Sequence, residues 1–127
     1  MASNYNADVL RQKLKALTER TNAHSFLTIT EASSQKYVQF AGRSLFFDLP
    51  KQTLSDGEMA RAKEVLKRHG ITGLVTYRLG EDSKGPEQTS FQKDLAGDIS
   101  QAIAMMEAVF FEVYGFNRSC SVSYNEF

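Results

Sequence analysis

The sequence contains no tryptophan, one cysteine and only two prolines among 127 residues. A single cysteine excludes an intrachain disulfide and favours a reducing compartment. An excess of charge of one sign is also missing, because 15 basic and 15 acidic residues give a net charge of zero. Nucleic-acid-binding domains normally carry a basic excess or stripe, so this balance argues against that class. It also does little to oppose self-association, and we expect an oligomer.

Long apolar runs are absent as well. No stretch approaches the roughly eighteen apolar residues that a membrane span needs. Residues 1–6 lack the basic and apolar regions of a secretion signal. We therefore expect a cytoplasmic protein without membrane contact. The length suits one domain, so residues 1–127 are predicted to form a single α+β domain, in which 118–127 is a terminal strand or a tail.

The first helix is predicted from about residue 8 to residue 19. Apolar residues spaced i, i+4 and i+7 form one narrow stripe, and charged residues occupy the other faces. Asn6 suits the N-cap position, since its side chain can accept a hydrogen bond from the first turn. The stripe consists of Leu10, Leu14 and Leu17. Such a helix should pack against a larger surface with that stripe.

The second helix has signals at both ends. Ser55 and Glu58 have the spacing of a capping box, in which each side chain bonds to the backbone N–H of the other residue. Gly70 suits the C′ position of a Schellman motif, which would bring Leu66 and Ile71 into contact. The signal for the helix start, the signal for its end and the apolar spacing between them agree, so a helix is expected from about residue 55 to residue 69.

The third helix is predicted over about residues 94–114 and is strongly apolar. Gly115 is expected to end it, with Phe111 and Phe116 at the C3 and C″ positions that touch in a Schellman motif. A helix this apolar should be buried on more than one side. Its main stripe is Leu95, Ile99, Ile103, Met106, Phe110 and Val113.

Four segments have the composition and alternation of strands, namely 26–30, 37–40, 45–49 and 74–79. Gly42 followed by Arg43 suits a two-residue type II′ turn between the second and third of them. Two further segments, 87–93 and 119–125, are strands in one interpretation. The element order is α-β-β-β-α-β-(β)-α, which predicts an antiparallel sheet of four to five strands with helices packed on it.

The sequence shows no recognisable catalytic, metal-binding or cofactor-binding motif. His24 and His69 lack a second ligand at metal-binding spacing. Cys120 has no histidine base nearby in sequence and is expected to be a semi-buried residue on a terminal strand. The loop from Gly80 to Gln88 lacks the spacing of a phosphate-binding loop. A small enzyme remains an alternative only if that loop closes over a cleft.

The informative surface is one face of the predicted sheet. Alternation places Phe26, Tyr37 and Phe46 together on one face. An apolar patch formed by these aromatic residues would mark a partner site. In the alternative interpretation, the first helix or a dimer mate covers them. The opposite set, expected to face the helices, is Leu27, Ile29, Val38, Phe40, Leu45, Phe47 and Leu49.

The chain resembles a known family over roughly residues 25–116. The segments Tyr37-Val38-Gln39-Phe40-Ala41 and Phe111-Glu112-Val113-Tyr114-Gly115-Phe116, with the intervening helix, are similar to YbjN-type and type III secretion chaperone-like proteins, above all to the branch called TY-Chap. The resemblance implies an α-β-β-β-α-β-β-α fold, often homodimeric, that binds an extended segment of a partner protein without enzymatic activity.

These observations predict a non-enzymatic, chaperone-like protein- or peptide-binding domain that acts as a homodimer and uses Phe26, Tyr37 and Phe46. The alternative is a structural module whose apolar surfaces serve only self-association.

Overall fold

The structure, a computed structural model, describes residues 2–22, 24–78 and 84–127. Its helices are α1 (Ala7–Thr18), α2 (Asp56–Lys67) and α3 (Ile99–Glu107), and α3 continues into a π-helical segment (Ala108–Val113). A 3-10 turn (Lys51–Thr53) precedes α2. The strands are β1 (Ser3–Asn4), β2 (Phe26–Glu31), β3 (Tyr37–Ala41), β4 (Phe46–Pro50), β5 (Val75–Arg78), β6 (Glu87–Asp94) and β7 (Ser121–Glu126).

All strands join one antiparallel sheet in the order β1-β7-β2-β3-β4-β6-β5. The α+β class is confirmed, but the predicted four to five strands are wrong, because the sheet has seven. A two-residue β1 is too short to show alternation. In β7, small polar residues weaken the hydrophobic pattern that marks a strand. That strand nevertheless pairs with β2 over five positions, so residues 121–126 are not a tail.

One face of the sheet carries the core, and we call it the inner face. The seven residues predicted to point toward the helices are at most 1% exposed, which confirms that alternation. The three leucines of the α1 stripe join the same cluster, as do Val65 and Leu66 of α2. Apolar residues of α3 and its π-helical segment complete that cluster. The helices therefore pack on one side of the sheet.

The predicted ends of α2 are confirmed. Both halves of the capping box form: the Glu58 amide donates to Ser55 Oγ at 3.3 Å, and the Ser55 amide donates to Glu58 Oε1 at 2.8 Å. At the other end Gly70 has a φ of 85°, and the Ile71 amide donates to the Leu66 carbonyl at 3.0 Å. This is the six-to-one bond of a Schellman motif. The Asn6 cap of α1 also forms, to the amides of residues 8 and 9.

The third helix begins later than predicted, at Ile99 and not near residue 94. Asp94 still belongs to β6, and the chain then turns through Ala96 and Gly97, whose φ angles are 52° and 74°. Asp98 is the N-cap, and its side chain accepts from the Gln101 amide at 3.0 Å. Two consecutive left-handed residues are incompatible with an α-helix, so the helix starts after them. The apolar pattern begins at Leu95 and therefore predicted the start of the helix too early.

The end of the third helix is wound more loosely than predicted. The Tyr114 amide donates to the Val109 carbonyl at 2.8 Å, five residues back, as in a π-helix. The Phe116 amide donates to the Phe110 carbonyl at 2.9 Å, six residues back. The predicted pairing of Phe116 with Phe111 is therefore wrong by one residue. The Phe116 ring instead lies 5.4 Å from the Phe110 ring, edge to face.

The hairpin between β3 and β4 is longer than the predicted two-residue turn. Ala41 pairs with Phe46, which leaves a four-residue loop, and the Leu45 amide donates to the Gly42 carbonyl at 3.2 Å. The left-handed residues are Gly42, with a φ of 70°, and Leu45, with a φ of 56°. Leu45 is fully buried in the core, although it adopts a left-handed conformation that is rare for leucine.

Glu31 organises the turn between β2 and β3. Its carboxylate accepts from the Ser33 amide at 2.8 Å, the Ser33 hydroxyl at 2.6 Å and the Ser34 amide at 3.0 Å. Burial raises the pKa of Glu31, but these hydrogen bonds outweigh it and hold the pKa at about 2. A depressed pKa means that the ionised carboxylate stabilises the fold above its unfolded pKa of 4.5.

We expect Glu31→Gln to lower the free energy of unfolding at pH 7 by about 1–2 kcal/mol, because charge-assisted hydrogen bonds are lost. The loss should shrink as the pH falls from about 4.5 toward 2, where Glu31 itself becomes protonated. Urea titrations at several pH values measure this difference. Glu64→Gln, at an exposed position of α2, is the matched control and should leave stability nearly unchanged. A loss that is independent of pH would contradict this role of the carboxylate.

Candidate functional site on the helix-free face of the sheet

The second face of the sheet, which we call the outer face, carries no helix in the part of the chain that the structure describes. α1 was the candidate cover in one interpretation, but its leucines lie in the core on the inner face. Strand register assigns the outer face. Its residues are Asn4, Phe26, Thr28, Thr30, Tyr37, Gln39, Ala41, Phe46, Asp48, Pro50, Val75, Tyr77, Gln88, Ser90, Gln92, Asp94, Ser121, Ser123 and Asn125.

Charge is scarce on this face. None of the chain's 15 lysine and arginine residues occupies an outer-face position of a strand. Among the described residues, its only charged ones are Asp48 and Asp94. Solvent-facing strands usually carry both signs of charge. Aromatic and uncharged polar residues with few charges are instead typical of the centre of a protein–protein interface.

The three predicted site residues all lie on the outer face, but they do not form one patch. Phe26 and Phe46 flank Ala41 in a single row across β2, β3 and β4. Tyr37 lies on β3 four residues before Ala41, which is about 13 Å along the strand. The Phe26 ring also stacks on Phe127, with ring centroids 4.5 Å apart. Register therefore separates Tyr37 from the row that holds Phe26 and Phe46.

A row of polar side chains, which we call the polar row, separates the two aromatic regions. Register aligns Thr28, Gln39, Asp48 and Gln92 across four strands. Thr28 Oγ1 donates to Gln39 Oε1 at 3.3 Å, and Gln92 Nε2 donates to Asp48 Oδ1 at 3.2 Å. Sequence reasoning missed this row because each member, taken alone, is an ordinary solvent-facing residue of its strand.

Asp48 is the electrostatic centre of the outer face. Burial raises the pKa of its carboxyl above the ordinary value, although hydrogen bonds from Gln92 and Ser90 oppose this rise. No lysine or arginine of the described residues forms a salt bridge with Asp48. Ser90 is fully buried, so the Asp48 carboxylate lies beside a part of the sheet that solvent does not reach. A half-buried carboxylate without a cation is costly to keep charged.

Two tyrosines lie on the outer face beyond Asp48, on the side away from Phe46: Tyr37 is one row further on, and Tyr77, which pairs with Gln88, is two rows further on. The Tyr77 hydroxyl accepts from Gln88 Nε2 at 2.9 Å. The pKa of Tyr37 is raised by burial first, then by the Asp48 carboxylate and by Tyr77. Tyr37 and Tyr77 are not neighbours in the sheet, because β4 and β6 lie between their strands.

The remaining sequence candidates do not converge. Cys120 directly precedes β7 and is half-buried, and both burial and the Glu31 charge raise the pKa of its thiol. His69 lies just beyond α2, where its carbonyl accepts from Lys93 Nζ at 2.7 Å. His24 lies in the connection before β2. Within the described ranges, no three histidine, cysteine or carboxylate side chains come together as metal ligands.

The loop considered for a small enzyme lies partly outside the described residues, which omit Leu79–Ser83. Near its described end, a hollow of about 430 Å³ lies between the N-terminus of α2 and the start of β6. Charged side chains at its rim are Lys51, Asp56 and Glu87. Its lining contains no histidine, cysteine or serine.

No protein-family model, no curated protein and no solved structure matches this chain. Among the described residues, no helix has the length and apolar character needed to cross a membrane.

Proposed function

We propose that this chain is a non-enzymatic, chaperone-like domain that holds an extended segment of a partner protein on the outer face of its sheet. The observation that carries the proposal is the scarcity of charge on a helix-free face that displays Phe26, Phe46, Tyr37 and Tyr77. A large, aromatic, weakly charged surface gains free energy when a partner covers it.

The order of elements supports the same proposal. From α1 to α3 the chain runs α-β-β-β-α-β-β-α, the order that the resemblance to TY-Chap proteins implies. In that family the resemblance implies binding of a partner segment and no enzymatic activity. β1 and β7 lie outside this order and extend the sheet beyond β2. They also widen the face that is available to a partner.

Phe46→Asp tests the site. A complex isolated with the unaltered protein would yield the bound segment, which is then synthesised and titrated by fluorescence anisotropy. We expect Phe46→Asp to weaken binding by about tenfold or more, because it replaces a central aromatic contact and adds a charge opposite Asp94. Phe46→Gln, which adds no charge, should show the same direction if Phe46→Asp folds poorly.

The matched control is Val9→Asp, at an exposed apolar position of α1 on the other side of the sheet. It should bind the segment as tightly as the unaltered protein. Unchanged affinity in both Phe46 variants, with circular dichroism showing intact folds, would place the binding site elsewhere.

A second candidate function is self-assembly, and the open edge of the sheet favours it. Among the described strands, β5 pairs only with β6, and its other edge has no partner strand there. Val75 at this edge is 46% exposed. Exposed edge strands readily pair with another copy. We therefore propose that the homodimer forms by antiparallel pairing of two β5 strands.

Val75→Lys should shift the protein toward monomer in sedimentation equilibrium, by about fivefold or more in dissociation constant, because lysine on an edge strand opposes strand pairing. Val9→Lys on α1 adds the same charge away from the edge and should leave the equilibrium unchanged. A dimer that is equally strong in both variants would exclude the β5 edge.

A further inference from the structure

The electrostatics of the outer face indicate what kind of side chain its partner brings. Asp48 lies in the middle of the polar row, and neighbouring glutamine and serine side chains satisfy part of its hydrogen-bonding capacity. The described residues offer it no salt bridge. A partner that covered Asp48 with apolar groups would leave a buried charge without compensation, which is strongly unfavourable.

A second copy of this chain does not supply the missing charge through the same face. In a two-fold dimer formed face to face, both copies would contribute the same surface. Each would bring Asp48 and Asp94, and neither would bring a lysine or arginine from its outer-face strand positions. Two acidic faces would repel each other, so the occupant of this face is a different chain.

We propose that the partner segment carries a lysine or arginine that pairs with Asp48, flanked two residues away on each side by apolar side chains. This inference rests on the proposed function and adds the chemistry of the ligand. The cation would also lie near the ring of Tyr37, one row away on the adjacent strand, which offers a favourable cation–π contact. Arginine suits the site best, because its planar group can bond a carboxylate and stack on a ring together.

The spacing follows from the rows of the sheet. Successive outer-face residues of one strand are about 6.6 Å apart, and so are alternate side chains of an extended partner. On β4 the rows hold Phe46, then Asp48, then Pro50, with Tyr37 in the row beyond Gln39. A segment lying along β4 therefore meets an aromatic row, a carboxylate and a second apolar region in turn. The matching pattern is apolar, any residue, basic, any residue, apolar.

Synthetic peptides test this pattern. The probes are capped peptides of about nine residues, long enough to cross three rows, in which leucine and threonine alternate and the central leucine position holds arginine, glutamine or glutamate. A Gly-Ser tail keeps them soluble and carries a fluorophore for anisotropy. We expect the arginine peptide to bind about tenfold more tightly than the glutamate peptide, with glutamine between them.

Two variants assign this preference to one carboxylate. Asp48→Asn keeps the oxygen that accepts from Gln92 but removes the charge, so the arginine preference should fall below about twofold. Asp94→Asn removes the other outer-face carboxylate, which already caps the Ala96 amide at 2.8 Å, and the preference should persist. Equal binding of all three peptides to the unaltered protein would overturn the basic-residue inference but leave the proposed function standing.

If none of the peptides binds and the Phe46 variants also retain their full affinity for the isolated segment, the proposed function fails as well. If the arginine preference survives Asp48→Asn unchanged, the assignment to Asp48 is wrong. Stability offers a further check that needs no peptide. Because the raised pKa of Asp48 means that its ionisation disfavours the fold, Asp48→Asn should raise Tm at pH 7. At pH 3, below the ordinary pKa of 3.8, the difference should be small.

Discussion

Phe110→Ala is expected to lower the free energy of unfolding by about 3–5 kcal/mol, the usual range for removing a buried aromatic ring. Phe110 is fully buried within the π-helical segment. Its ring lies 5.9 Å from Tyr114 and 5.4 Å from Phe116, both edge to face. Removing it leaves a cavity at the junction of the helix end and the following loop, where the rings of Tyr114 and Phe116 are themselves 5.4 Å apart.

The adjacent Phe111→Ala is the matched control, because it removes the same ring one residue later. Phe111 is only partly buried. Its ring centroid lies 5.6 Å from that of Tyr5, and Cζ of the Arg118 guanidinium lies 4.5 Å from it. We expect a loss of about 1–2 kcal/mol for this variant. Urea unfolding followed by circular dichroism measures both. Equal losses, or a larger loss for Phe111, would contradict the π-helical register and favour the regular helix that the sequence predicts.

The helix ends that sequence reasoning predicted well are those in which short-range chemistry decides the conformation. Asn6, Ser55, Glu58 and Gly70 act on backbone groups within a few residues, and all four form the expected bonds or conformation. Asp98 could have been found in the same way, since it follows Gly97 and its side chain caps the third helix. The apolar stripe starting at Leu95 concealed that signal.

The π-helical segment could not be predicted locally, because distant groups accompany it. Arg61 of α2 donates from Nε to the Val113 carbonyl at 2.9 Å. The Tyr114 hydroxyl donates to the Tyr37 carbonyl at 2.8 Å, which links the helix end to the start of β3. Both contacts join elements that are far apart in the chain, so helical periodicity contains no trace of them.

The candidate site, like the helix ends, was predicted from the sequence only in part. Alternation correctly assigned Phe26, Tyr37 and Phe46 to the face opposite the core residues. It did not show that a polar row divides them, because that depends on which residues of neighbouring strands pair. Nor did it show which residues of β5 share this face, since β5 joins the sheet through β6 and no sequence signal marks that pairing. Register, more than composition, determines what this surface offers to a partner.

Lys36→Met is expected to lower the free energy of unfolding at pH 7 by about 2–3 kcal/mol, somewhat below the range for breaking a fully buried ion pair. Lys36 Nζ donates to both carboxylate oxygens of Glu58, whose side chain is 8% exposed, while the Lys36 side chain is 31% exposed. The ammonium also lies 5.2 Å from the centre of the Tyr114 ring. Without Lys36, a buried carboxylate at the start of α2 keeps its hydrogen bonds to Ser55 but loses its cation.

The pH dependence separates the ion pair from the ring contact. Burial raises the pKa of Glu58, but hydrogen bonds from Lys36 and Ser55 outweigh it and leave the pKa below its ordinary value of 4.5. The pair therefore stabilises the fold above pH 4.5 and loses this contribution as the pH falls below it. In Lys36→Met the pKa of Glu58 should rise, so the difference between variant and unaltered protein shrinks at acid pH. Urea titrations between pH 7 and pH 3 measure it.

The double variant Lys36→Met with Glu58→Gln provides the control for this pair. Glutamine can still accept from the Ser55 amide, and no charge is left buried, so much of the lost stability at pH 7 should return. The ring contact with Tyr114 is absent from both variants and contributes equally to each. A double variant no more stable than Lys36→Met, together with a loss independent of pH, would show that the Tyr114 contact outweighs the Glu58 charge.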